Sequence, residues 1–110
     1  MGSLIQLILE HEGFEVHRAE DGRLGEAAIN RLAPPALVTI DINLPYMNGV
    51  ELLMRMRSKR GWENVPILMV TANEYDSKVG WAIKSGANAY IVKPFERQAL
   101  LDCIRRLLGP

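Results

Sequence analysis

Residues 36–41 read Ala36-Leu37-Val38-Thr39-Ile40-Asp41, a short apolar and β-branched run that closes on a carboxylate. It does not alternate with polar residues. That is the form of a strand covered on both faces, as in a parallel sheet with helices above and below. Two later runs share it: Ile67-Leu68-Met69-Val70, ending at Thr71-Ala72, and Ala89-Tyr90-Ile91-Val92, ending at Lys93-Pro94. Phe14 to Ala19 alternates instead, Phe14 and Val16 against Glu15 and His17, and predicts a short strand nearer a sheet edge.

Helical stretches separate the strands. Ser3 and Gln6 have capping-box spacing, which predicts a helix from Leu4 to about Glu12. Leu4, Ile5, Leu7, Ile8 and Leu9 make it apolar nearly all round, as a buried helix is, and Gly13 stops it. A second helix, capped by Asp21 or Gly22, carries Leu24, Ala27, Ala28 and Leu32 on one face before Pro34-Pro35. A third follows Asn48-Gly49, with Val50, Leu53 and Met56 inward. Tyr75, Val79, Ala82 and Ile83 mark a fourth, closed by Gly86. The last runs from Glu96 to Leu108, with Leu100, Leu101, Ile104, Leu107 and Leu108 at helical spacing. Four strands alternating with five helices predict an α/β fold, a doubly wound parallel sheet.

Composition narrows the function. The 110 residues fit one domain, 1–110, in which 1–3 are either a true start or an expression remnant. Apolar residues at 48% and charged residues at 24% are ordinary globular proportions, which excludes long disorder. Thirteen basic and 13 acidic residues cancel, so the basic excess of a nucleic-acid binder is absent. No apolar run approaches the roughly 18 residues of a membrane span, and no signal pattern opens the chain, which points to the cytoplasm. Cys103 is the single cysteine, so neither an intrachain disulfide nor a two-cysteine zinc site can form. His11 and His17 have no ligand-spaced partners, and no glycine-rich phosphate loop is present. Met47, Met54, Met56 and Met69 read as core filler and Cys103 as a buried thiol. Trp62, in a loop, and Trp81, on a helix, are candidates for a contact surface.

In open α/β sheets ligands bind beyond the carboxyl ends of the strands. The polar residues at those ends are Glu20, Asp21, Asp41, Thr71 and Lys93. Singly, each reads as a cap, a turn or a strand residue. A carboxylate, a hydroxyl and an ammonium closing three apolar strands form a chemical constellation.

At this point the residues resemble the receiver domain of bacterial two-component response regulators, with its flavodoxin-like fold. Thr39 to Gly49 resembles the phosphoacceptor strand and loop, Val70-Thr71-Ala72 the switch-threonine segment, and Gly86 to Phe95 the final strand. Asp21-Gly22 and Gly13 to Val16 fit as well, and the likeness covers about residues 4 to 108. It implies that Asp41 accepts a phosphoryl group from a histidine kinase or phosphotransfer protein. It implies Thr71 and Lys93 as partners of the phosphoryl oxygens. It further implies Thr71 and Tyr90 as a switch pair, a cis bond before Pro94, and Mg²⁺ held by Asp41 and the backbone carbonyl of Asn43. Output would pass to a downstream target protein through the face built from residues 75–108. On this reading the chain is a signalling domain, not an enzyme. The alternatives are a degenerate receiver that only binds partners, and a flavodoxin-like enzyme or nucleotide binder, which the missing phosphate loop disfavours.

One departure from the family stands out. Its members open with an apolar strand ending in an acidic pair, ahead of the helix at Leu4, where this chain has only Met1-Gly2-Ser3. The resemblance is therefore to an N-terminally truncated sheet. Four buried aliphatic side chains at about 2 kcal/mol each amount to about 8 kcal/mol, against about 5–15 kcal/mol for a whole domain. The place has to be filled. A second copy, as a homodimer or by strand exchange, is expected first, then an upstream segment. Last comes a slide of Phe14–Ala19 in beside Leu37–Ile42, bringing Glu20-Asp21 next to Asp41. Without the acidic pair, Asp41 and one carbonyl predict weak or absent Mg²⁺ binding and phosphorylation.

Overall fold

The structure, a computed structural model, describes residues 2–17, 19, 21–44 and 46–109, with nothing said of the side chains of 2 and 3. Helices are α1 (Gly2–His11), α2 (Gly22–Arg31), α3 (Gly49–Ser58), α4 (Ser77–Lys84) and α5 (Arg97–Leu108). Strands are β1 (Val38–Asp41), β2 (Ile67–Thr71) and β3 (Ala89–Val92). They form one parallel sheet in the order β1-β2-β3.

β2 is buried at all five positions, as its unbroken apolar run requires. Its alternate side chains feed two cores. Ile67 and Met69 join α2, α3 and α4 through Ile29, Leu53 and Val79. Leu68 and Val70 join α1 and α5 through Ile8, Leu100 and Ile104. Helices thus cover both faces, as the sequence pattern predicts.

Several expectations are corrected. Among the described residues the sheet has three strands, and residues 14–17 lie outside it. A strand is held by its neighbour's peptide groups, and this segment has none beside it. It has not slid in beside β1, and Glu20 lies outside the described residues. β1 is mostly half-buried, because it is an edge. α1 begins at Gly2, so Ser3 lies inside the helix; Leu4 and Leu7 are exposed while Ile5, Ile8 and Leu9 are buried. In α2 the buried positions are Gly22, Gly25 and Ile29, and Leu24 faces solvent. Tyr75 precedes α4, whose N-cap is Asp76, and Ile83 and Met54 are exposed. Trp62 is 2% exposed and belongs to the core.

A cavity of about 340 Å³ lies between residues 14–17 and β1. Leu9, Phe14 and Val70 line it from one core, and Ile29, Leu52 and Trp62 from the other.

Candidate functional site

Asp41 ends β1 and Lys93 follows β3, two strands separated by β2. The Lys93 ammonium nevertheless donates to Asp41 Oδ2 at 2.8 Å, so its side chain passes over the carboxyl end of β2. The pair is partly shielded, with side chains 15% and 35% exposed. The bond between Lys93 and Pro94 is cis.

Asp41's other oxygen is also engaged: Asn43 N–H donates to Oδ1 at 3.3 Å. The loop that carries Asn43 is fixed from below. Gly49 N–H donates to the Ile42 carbonyl at 2.7 Å, and a Cβ on Gly49 would collide with the Asp41 carbonyl oxygen. Asn48 is the N-cap of α3, which starts at Gly49. Asn48 Oδ1 accepts from Glu51 N–H at 3.0 Å, and Asn48 Nδ2 donates to Glu51 Oε1 at 3.1 Å.

Thr71 ends β2 and is 1% exposed. Its hydroxyl donates to the Asn73 carbonyl (3.1 Å) and accepts from Asn73 N–H (3.2 Å). Its own carbonyl accepts from Lys93 N–H at 2.7 Å, which ties the β2 end to the lysine. Tyr90, paired in register with Met69, is 42% exposed. Asp41, Thr71 and Lys93 therefore come to one end of the sheet, with Tyr90 on its outer strand.

Sequence reasoning missed Lys78. From the first turn of α4 its ammonium donates to Asn43 Oδ1 at 2.9 Å and lies 3.7 Å from Asp76. Nothing in the local sequence signals a contact between positions so far apart.

Mg²⁺ takes about six oxygen ligands in near-octahedral geometry. Both Asp41 oxygens have donors already, and Asp21 and Asp76 cap α2 and α4. No three His, Cys, Asp or Glu side chains among the described residues could hold a metal. The described donors do not fit a magnesium cage.

Known proteins resemble this chain in sequence and in fold. Chemotaxis protein CheY1 of Helicobacter pylori is 34% identical over 110 residues, covering 99% of this chain and 89% of that protein. The chemotaxis response regulator CheY4 of Vibrio cholerae superposes with a TM-score of 0.89 at 30% identity, covering 97% of this chain and 88% of that one. The receiver domain of the sensor histidine kinase PA1611 of Pseudomonas aeruginosa superposes with a TM-score of 0.88 at 26% identity, covering 98% and 88%. That structure carries a magnesium ion in its active-site cleft. The response regulator receiver domain family matches residues 1–105, and with the sheet and these relatives in agreement, the chain belongs to that family of two-component signalling domains.

Proposed function

We propose that this receiver domain accepts a phosphoryl group on Asp41 from a phosphohistidine of a kinase or phosphotransfer protein. An Asp41 oxygen attacks phosphorus, the imidazole nitrogen leaves and takes up a proton, and an acyl phosphate forms. Lys93 supplies a point charge to a phosphoryl oxygen, and Thr71 supplies a hydroxyl after giving up its Asn73 contacts. The observation that carries this reading is the Lys93–Asp41 pair at 2.8 Å across the end of β2.

Receiver domains are signalling domains, generally not enzymes, and this one would act in the cytoplasm by handing its state to a target protein. No helix among the described residues is long and apolar enough to cross a membrane. The face of α4, β3 and α5 supports that output role, since Trp81, Ile83 and Tyr90 are all partly exposed on it. Thr71 and Tyr90 stand on adjacent strands, as a switch pair needs. Transfer is expected to be slow and Mg²⁺ binding weak, because the described carboxylates do not form a cage. A homodimer would meet along the open edge of β1, and mass in solution reads its formation.

The test is transfer of labelled phosphoryl from a phosphohistidine donor. Wild type should gain an alkali-labile label and Asp41→Asn none. Label of equal amount on Asp41→Asn would refute the assignment.

A further inference from the structure

Lys78 stands in the first turn of α4, whose N-cap is Asp76. That is the wrong end of a helix for a cation, because the partial charge there is positive. The first turn of α3 carries Glu51 and its last turn Arg55 and Arg57, and α4 itself ends on Lys84. The Lys78 side chain is not needed to start its helix either. Its backbone N–H donates to Asp76 Oδ1 at 2.9 Å, and any residue but proline supplies that bond.

The ammonium reaches out of α4 to the acceptor loop. It lies 2.9 Å from Asn43 Oδ1, a neutral oxygen, and 3.7 Å from the Asp76 carboxylate, its stronger electrostatic partner. The closer contact is with the amide. An ammonium has three donors and no acceptor, so it takes only the oxygen end of that amide. The NH2 end, which has no partner among the described residues, is left as a donor. Asn43 also adjoins the acceptor, since its backbone N–H donates to Asp41 Oδ1 at 3.3 Å while Lys93 holds Oδ2. A phosphoryl group on Asp41 brings three strong acceptor oxygens to this neighbourhood.

We propose that Lys78 is a positioning residue for phosphoryl transfer: by holding Asn43 Oδ1 it keeps the Asn43 NH2 free to donate to a phosphoryl oxygen on Asp41. No proton changes hands at either residue. Without the ammonium the amide turns about its terminal bond, a soft and roughly two-fold torsion. It then presents its oxygen to the phosphoryl group as readily as its NH2, and two oxygens repel. This role rests on Asp41 as the acceptor, whose failure reads out separately.

The test uses the full chain with labelled phosphoramidate, whose phosphoryl group is bound to nitrogen as in a phosphohistidine and which has no surface to dock. An Asp41 oxygen attacks phosphorus, the P–N bond breaks, and the nitrogen leaves as ammonia with a proton. Initial rates of label gain are compared. Lys78→Met and Asn43→Ala should each be slower by about tenfold, less than the roughly 100-fold of a fully enclosed donor, because Asn43 is exposed. The alanine keeps the backbone N–H that reaches Asp41. The double variant should also be slower by about tenfold, not by the roughly 100-fold of independent effects, since both changes remove one donor. Lys78→Arg, which likewise only donates, should stay within about twofold of wild type. Melting midpoints should agree within about 2 °C, as for other partly exposed surface pairs. Equal rates in Lys78→Met and wild type, losses that multiply in the double variant, an arginine variant no faster than the methionine one, or a rate loss matched by a lost folded fraction overturns the positioning role alone. No label on wild type overturns acceptance on Asp41 and this role with it.

Discussion

Lys93 and Asp41 stand 52 positions apart in the chain and on strands that are not neighbours, yet their side chains meet at 2.8 Å over the end of β2. β2, which ends at Thr71, lies between the two strands. Lys93→Met should slow phosphoryl gain by about 100-fold, the usual effect of removing one preorganised donor. It should leave urea-measured stability within about 1 kcal/mol, since the pair is partly solvated. Lys93→Arg should recover little of the rate, because a planar fork does not replace a compact ammonium.

Gly49 holds the acceptor strand by having no side chain. A Cβ there would meet the Asp41 carbonyl oxygen and come within 2.9 Å of Ile42 Cα, both backbone atoms that cannot swing away. Gly49→Ala should destabilise the domain by about 2–3 kcal/mol, read as a lower urea midpoint at unchanged slope. Gly80, with open space around its Cβ position, is the control, and Gly80→Ala in α4 should not destabilise.

Arg57 clamps the amino ends of β2 and β3. Its guanidinium donates to the carbonyls of Trp62 (3.0 Å), Val65 (2.7 Å) and Gly86 (2.8 Å) and to Asn88 Oδ1 (2.9 Å). Arg57→Met should cost about 2–4 kcal/mol by leaving the Val65 and Gly86 carbonyls without this donor, and Arg57→Lys should recover less than half. Burial lowers the guanidinium's pKa, disfavouring its charged form in the fold. The linked gain in stability appears only as pH rises through that lowered value, far above neutrality. The Arg57 contribution should therefore be flat between about pH 5 and 9.

Titration with Mg²⁺, followed by Trp fluorescence or calorimetry, should show no saturation below millimolar concentrations. Tight binding would mean that carboxylates outside the described set complete the site.

β2 and α5 were legible because their apolar spacing and their burial express the same fact, whereas β3 has the same apolar run without a buried position. Asp41, Thr71 and Lys93 were legible because each closes such a strand. Of the predicted Phe14–Ala19 strand, Arg18 lies outside the described residues, and residues 14–17 were misread because alternation predicts a face and not a neighbour, and they border a cavity. Trp62 was misread because a polar loop, Lys59 to Asn64, conceals one side chain that turns into the core. Lys78 at Asn43, and Arg57 under Gly86, are contacts across 35 and 29 positions that only the assembled fold creates.

The most direct measurement converts any acyl phosphate on the chain to a stable mark. After incubation with a phosphohistidine donor, borohydride reduction turns an aspartyl phosphate into homoserine, which peptide mapping locates. The account predicts homoserine at position 41 and nowhere else. Homoserine at another carboxylate, or none on folded protein that has been shown to meet its donor, would contradict it.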